Sequence, residues 1–212
     1  MSFRTDMDMI EQAYFTAAGD DGRMAIEEAD RQIQALGLEI SAIQAGDAAP
    51  DFLLDNALGG SVSLRGRLLE GPAVLSFFRG NWCPFCRAEL NALARAAEAV
   101  AAKGASLLAI SPQPASESLK LARSEALEFP LLVDEGVGVA SQYGLVFALP
   151  VSMRPSAEAD GMVAGNAGDD WRIPVPATYV IGQDGIVQYS FLDPNYRNRL
   201  DPAAIVDILD RL

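Results

Sequence analysis

The sequence predicts an α/β protein, a mixed central sheet flanked by helices on both faces, with an N-terminal helical extension in front of it. Three observations carry that expectation. From residue 45 onward, short β-favouring apolar runs alternate with helix-spaced segments. The run Ser106-Leu107-Leu108-Ala109-Ile110 is apolar almost throughout, as expected of a strand buried on both faces. Near the end, residues 177–181 and 186–192 read as strands joined by Gly182-Gln183-Asp184-Gly185, a hairpin signal that adds antiparallel pairing.

The elements follow in chain order. Residues 6–18 and 23–37 carry helix-spaced apolar positions, among them Met24, Ile26, Ile33 and Leu36, interrupted by Gly19-Asp20-Asp21-Gly22. Pieces this short cannot bury a face alone, so residues 1–44 read as a packing or dimerisation arm, and a homodimer is the matching expectation. Residues 45–212 form the main domain. Within it, 49–55 and 61–64 read as a hairpin, and Ala73 to Phe77 as a buried strand. Residues 84–103 form a helix closed by Lys103-Gly104, a basic last turn with a glycine cap. A helix over 114–127, a strand at 131–134 and a short helix over 137–143 come next. Gly136-Val137-Gly138 lacks the third glycine of a nucleotide fingerprint and reads as a turn and helix start. Residues 151–174 are polar and small, a surface insertion flanking the active site, whose end residues Trp171 and Arg172 either face substrate or anchor the loop, anchoring being the better reading. Asp201-Pro202 caps a terminal helix, with proline at its first position.

The chemistry is expected where the strand at 73–77 turns into the helix at 84. The chain's two cysteines, Cys83 and Cys86, lie there three residues apart, on one face of the first helical turn. Unpaired N–H groups and the positive end of the helix dipole favour a thiolate at that point, and Arg79 and Arg87 flank the pair. The sequence contains no histidine, so an imidazole-paired cysteine is excluded. Pro84 suits the first helical turn. Leu90, Leu93 and Ala97 continue an apolar stripe from Cys86, so Cys86 is expected to point inward and Cys83 to sit nearer solvent. A zinc site would need two more ligands, available only from a dimer sharing two cysteine pairs. A structural disulfide would close a very short loop and add little stability. Redox cycling is the better reading of the pair.

Composition narrows the partners. In 212 residues, 29 acidic side chains outnumber 16 basic ones for a net charge of −13, and only Lys103 and Lys120 are lysines. That sign disfavours nucleic acid and anionic membranes as partners. Neither a basic-then-apolar leader nor an apolar run approaching a membrane span is present, so a reducing cytoplasm is expected, where two thiols can cycle. No cofactor or metal is implied. The acidic pairs Glu27-Glu28 and Asp169-Asp170 read as solvated charges.

These residues carry a family resemblance. Trp82-Cys83-Pro84-Phe85-Cys86 resembles the Trp-Cys-x-x-Cys site of thioredoxins, and Val175-Pro176-Ala177-Thr178 resembles the cis-proline strand that faces it. The wider layout is more similar to peroxiredoxins of the alkyl hydroperoxide reductase and thiol-specific antioxidant superfamily. Ala49-Pro50-Asp51-Phe52 resembles their first strand, and Tyr179 to Gly185 their late hairpin, so the likeness runs over residues 45–212. It implies a thioredoxin-like fold and a cis peptide before Pro176. In the thioredoxin register Cys83 attacks and Cys86 resolves. In the peroxiredoxin register Cys86 attacks, Glu89 matches a glutamate three residues later, Arg79 stands in place of a proline, and Pro176 sits near the expected peroxide-binding arginine. Arg79, Arg87 and Asn81 are the candidate donors to a peroxide.

The resemblance implies a thiol peroxidase acting on hydrogen peroxide or small organic hydroperoxides, re-reduced by thioredoxin or a similar thiol donor. A thioredoxin-like oxidoreductase of protein disulfides is the alternative, and a redox-sensing module without turnover the third reading. Asn195-Tyr196-Arg197 is a further candidate neighbour of the site whose side chains the sequence does not place.

Overall fold

The chain opens with α1 (Phe3–Gln34) and the single turn α2 (Leu38–Ser41) in the computed structural model, which describes residues 2–159, 161–162 and 171–212. The Ser2 side chain caps α1 by accepting from the Thr5 N–H. The interruption expected over 19–22 is a kink at one residue: Gly19 takes φ 64° and ψ −172°, and helix resumes with the next residue. A glycine reaches that conformation without a Cβ clash, so one position suffices to redirect the helix. Of the expected apolar stripe, Ile26 and Ile33 are buried, while Met24 and Leu36 face outward.

The main body follows as β1 (Leu53–Asn56), β2 (Ser61–Ser63), α3 (Leu64–Leu68), β3 (Ala73–Phe77), α4 (Pro84–Ala102), β4 (Ser106–Ser111), α5 (Ala115–Glu125) and β5 (Leu131–Val133). Then come α6 (Gly138–Gln142), β6 (Val146–Ala148), α7 (Arg154–Ala159), β7 (Arg172–Pro174), β8 (Ala177–Ile181), β9 (Val187–Leu192) and α8 (Pro202–Leu209). Seven strands form one sheet in the order β2-β1-β5-β4-β3-β8-β9. The pairs β3–β4 and β4–β5 are parallel; the other pairs are antiparallel, giving the mixed sheet expected.

Strand β3 is central and buried at every position, so its alternating side chains feed two cores. Val74 and Phe78 join the cluster under α4, α5 and α8, which also holds both cysteines. Leu75 and Phe77 join the opposite cluster, with Val139, Ala140 and Tyr143 from the α6 region. A third cluster gathers Ile26, Ala29 and Ile33 of α1 with Phe147, Met153, Ala157 and Ile173. The kink at Gly19 thus lets the first half of α1 reach the cysteine-bearing cluster while the second half packs on this one.

The insertion expected over 151–174 contains regular structure: α7 lies in it, and β7 pairs antiparallel with β6. Trp171 packs against the third cluster with the Arg154 guanidinium 5.2 Å from its ring, an anchoring position. Gly165, Gly168 and the Asp169-Asp170 pair lie outside the described residues. Glu27 and Glu28 are exposed on α1, Glu28 bonded to Arg31.

The ends of α4 and α8 follow their sequence signals. Gly104 takes φ +71° after Lys103, and Asp201 accepts from the Ala203 N–H with Pro202 in the first turn. The turn before β3 passes so close to the end of α4 that a Cβ on Gly71 would lie 2.0 Å from the Gly104 carbonyl oxygen. Because these two elements carry the cysteine motif, that contact fixes its frame. Gly71→Ala is expected to cost about 3 kcal/mol through overpacking against backbone, read as a lowered urea midpoint with an unchanged slope.

Candidate active site

The motif loop is positioned by hydrogen bonds from the segment that follows β4. The Asn81 backbone N–H donates to Gln113 Oε1 at 2.8 Å, and Gln113 Nε2 donates to Ser118 Oγ at 2.9 Å. Gln113 is fully buried, so both ends of its amide are used. The Asn81 side chain donates to Glu117 at 3.1 Å, which turns it toward α5 and the surface. The Cys83 N–H then closes the turn on the Gly80 carbonyl at 3.2 Å, and α4 begins with Cys83 as its cap and Pro84 in its first turn.

Both thiols are reduced and fully buried, at 0% exposure. The exposed attacker expected at Cys83 is therefore corrected: helical periodicity on α4 describes only α4, and Cys83 is covered by other parts of the chain. Met7 and Tyr14 of α1 and Tyr196 of the loop after β9 join the same cluster as the two sulfurs. Arg87 is corrected too. It is exposed and its guanidinium is held by Glu125 of α5, so it lies outside the charge set acting on the thiols.

The cations at the site are Arg79 and Arg199. Arg79 is buried, with its guanidinium 3.8 Å from the Tyr196 ring centroid and 4.7 Å from the Trp82 ring centroid. Arg199 Nε donates to the Tyr196 carbonyl at 2.8 Å, Nη2 approaches Cys86 Sγ at 3.5 Å, and Nη1 pairs with Glu89. Both members of that ion pair are almost wholly buried. Glu89 thus lies beside the motif, and its partner comes from a loop 110 residues away in sequence.

Electrostatics divide the two sulfurs. Burial alone would raise the Cys83 thiol, but the hydrogen bond from Cys86 and the charges of Arg79 and Arg199 outweigh it and hold Cys83 well below the usual thiol range. Burial and the neighbouring Cys83 sulfur push Cys86 well above that range, against Arg199 and Arg79. Two adjacent thiolates cannot share so dry a space, so one ionises and the other donates to it. Burial, outweighing the Arg199 guanidinium, raises the Glu89 carboxyl to about 7.

Beside Arg79 lies a cavity of about 20 Å³, room for a water-sized molecule, walled by Tyr14, Arg79, Trp82, Pro84, Phe85 and Tyr196. The buried Trp82 Nε1–H has no hydrogen-bond partner among the described residues. Pro176 is buried, and the β3–β8 register continues from Phe77↔Ala177 to place it at the motif's end of the sheet. The Val175–Pro176 peptide is trans, since no described peptide is cis, which corrects the cis expectation. Val175 pairs its N–H with the Leu145 carbonyl at 2.8 Å, so this backbone is engaged by the β6 side of the fold. Among the described residues no three His, Cys, Asp or Glu side chains gather into a possible metal site, and no helix is long and apolar enough to cross a membrane.

Sequence reasoning missed Arg199 and Tyr14. A signal for Arg199 existed: Arg197 and Arg199 crowd one short loop of an otherwise acidic chain, directly after the last strand. For Tyr14 there was none beyond its place in an amphipathic helix.

A dithiol at the start of a helix, at the carboxyl end of a central strand of this mixed sheet, defines a thioredoxin-fold redox protein. More narrowly, the chain belongs to the AhpC/TSA family, whose sequence model matches residues 45–190. It is 29% identical over 106 residues to the thiol-disulfide oxidoreductase ResA of Halalkalibacterium halodurans, covering 50% of this chain and 59% of that protein. It is 27% identical over 172 residues to the chloroplastic peroxiredoxin Q of Triticum aestivum, covering 81% and 67%. The crystal structure of peroxidoxin BcpB from Mycobacterium tuberculosis superposes with a TM-score of 0.64 at 24% identity, covering 80% of this chain and 98% of that one. The chain thus spans about three-fifths to two-thirds of the length of these two sequence relatives.

Glu89 gives a prediction with a definite sign. Its folded value of about 7 lies above the ordinary carboxylate value of 4.5, so the folded protein keeps a proton that the unfolded chain releases. The stability this adds is fully present below pH 4.5 and is lost as the pH rises through about 7. Urea unfolding at pH 5 and pH 7.5 is expected to show Glu89→Gln losing about 2 kcal/mol less than the native chain over that interval.

Proposed function

We propose that this protein is a thiol peroxidase that reduces hydrogen peroxide or small organic hydroperoxides through a Cys83–Cys86 dithiol/disulfide cycle. The observation that carries the reading is a buried cysteine pair with Arg199 against Cys86 Sγ, and a small cavity walled by Arg79 and by Trp82 and Pro84 on either side of Cys83. Cys83 is the attacking sulfur. It is the thiol whose ionised form is favoured, and its charge acts on Arg79 and Tyr14, both walls of the cavity.

The steps follow from those roles. The Cys83 thiolate attacks one peroxide oxygen, the O–O bond breaks, and the leaving oxygen takes a proton and departs as water or an alcohol. Cys83 is left as the sulfenic acid. Arg79 offsets the negative charge that builds on the departing oxygen, and Trp82, whose buried Nε1–H has no hydrogen-bond partner among the described residues, lines the same cavity. The Cys86 thiol then attacks the sulfenic sulfur; its proton leaves with the hydroxyl as a second water, and the disulfide forms. Arg199, in contact with Cys86 Sγ, favours the loss of that proton. Because the cysteines share one helical turn, this bond needs no unfolding of α4. An external dithiol, thioredoxin or a similar donor, returns two electrons and two protons. The cycle requires a thiol reductant, which a reducing compartment such as the cytoplasm would supply, and a homodimer is compatible with it.

A second reading, reduction of protein disulfides, is favoured by the similarity to ResA. The burial of both sulfurs counts against it, because a protein disulfide has to reach the attacking thiolate directly.

Stopped-flow mixing of the reduced protein with hydrogen peroxide tests the proposal. A fast phase is expected in the native chain and in Cys86→Ser, and is expected to be absent in Cys83→Ser. Arg79→Met is expected to slow it by about 10²–10³-fold, the usual effect of removing one stabilising donor. Slow reaction throughout, with rapid reduction of insulin disulfides, would establish the second reading instead.

A further inference from the structure

The family match begins at residue 45, yet one wall of the small cavity beside Arg79 comes from α1. Tyr14 packs edge-on against Phe85 at 5.6 Å, and its hydroxyl hydrogen-bonds the Tyr196 hydroxyl at 3.2 Å. With Trp82 and Pro84, Tyr14 also borders a wider groove on the outer side, floored by Ala17, Ala18 and Ile26. Tyr14, like Trp82, Pro84 and Ser156, therefore borders both the wider groove and the smaller cavity.

The helix that carries this ring is held down across its kink. Arg197, whose side chain is 7% exposed, donates to Glu11 at 3.0 Å from the first half of α1 and to Asp30 at 3.2 and 2.5 Å from the second half. Its guanidinium also lies 5.3 Å from the centroid of the Phe15 ring, the neighbour of Tyr14. One arginine thus clamps both arms of α1, two residues from the Arg199 that touches Cys86 and one from the Tyr196 that stacks on Arg79.

We propose that Tyr14 is a specificity-determining residue, and that the clamped α1 makes the site a size filter that admits hydrogen peroxide to Cys83 and excludes bulky hydroperoxides. The inference rests on the peroxidase reading for its substrate, while the filter itself is a matter of access to the thiols. Hydrogen peroxide, with only two heavy atoms, is the peroxide nearest in scale to the cavity beside Arg79. An aromatic hydroperoxide reaches Cys83 only if Tyr14 leaves its place between Phe85 and Tyr196.

The test compares rates for small and bulky reagents in two parallel series on the reduced protein. One series uses hydrogen peroxide and cumene hydroperoxide; the other uses iodoacetamide and Ellman's reagent, which read thiol access alone. In the native chain each small reagent is expected to outpace its bulky counterpart by more than their ratio on a free thiol, by about 10-fold or more. Tyr14→Ala is expected to collapse that excess in both series, and Tyr14→Phe to retain it. The double variant Glu11→Gln/Asp30→Asn loosens the clamp without touching the cavity wall and is expected to reduce the excess as well, which keeps the test decisive if Tyr14→Ala folds poorly. An excess that survives both Tyr14→Ala and the clamp variant, or is missing from the native chain, overturns the filter. Discrimination among the thiol reagents with no reaction toward either peroxide upholds the filter and refutes the peroxidase reading. Equal reaction with both peroxides and both thiol reagents refutes the filter and leaves that reading standing.

Discussion

The proposed chemistry depends on holding a sulfur anion in a buried place. A thiolate at 0% exposure is stable only if its surroundings replace the solvation it has lost, and here Arg79, Arg199 and the Cys86 thiol do so. Each replacement is itself constrained. Arg79 is spread over the faces of Trp82 and Tyr196, and Arg199 is fixed by Glu89 and the Tyr196 carbonyl. Tyr196 is the piece common to both cations, its ring under one and its backbone under the other. A single residue of the loop after β9 therefore sets the spacing of the two positive charges about the dithiol.

Around that centre the fold acts as a frame. The strand β3 and helix α4 bring the cysteines to the end of the sheet, the tight approach of Gly71 to Gly104 fixes their relation, and Gln113, just past the end of β4, secures the turn between them. Pairing Glu89 with Arg199 rather than leaving either alone is what makes a buried charge tolerable there, since an unpartnered one would be strongly destabilising. Function and packing are joined most closely at α1. Its two halves supply core to two separate clusters, and its first half packs in the cluster that holds the thiols.

Legibility in the sequence followed the range of the interaction. The strand-turn-helix unit at 73–102, the Lys103-Gly104 stop, the Asp201-Pro202 start and the hairpin through Gly182-Gln183-Asp184-Gly185 all rest on local periodicity and turn chemistry, and all were readable. Burial of Cys83 was not, because the stripe on α4 says nothing about Tyr14 or Tyr196 arriving from opposite ends of the chain. Arg87 looked like a site residue by proximity in sequence, but the side chain that pairs with it, Glu125, lies on another helix. Arg199 was invisible for the converse reason, being 113 residues from Cys86 and 3.5 Å from its sulfur. The proline at 176 fitted a family pattern whose cis bond the local backbone does not adopt.

All of this turns on which sulfur carries charge at neutral pH, and that is measurable directly from the ultraviolet absorbance of thiolate as pH is varied in the reduced protein. The account predicts one thiolate appearing well below the ordinary thiol value of about 8.5, present in Cys86→Ser and lost in Cys83→Ser. A titration in which both thiols ionise only above that value, or in which the low-pH thiolate disappears with Cys86 instead, would contradict it.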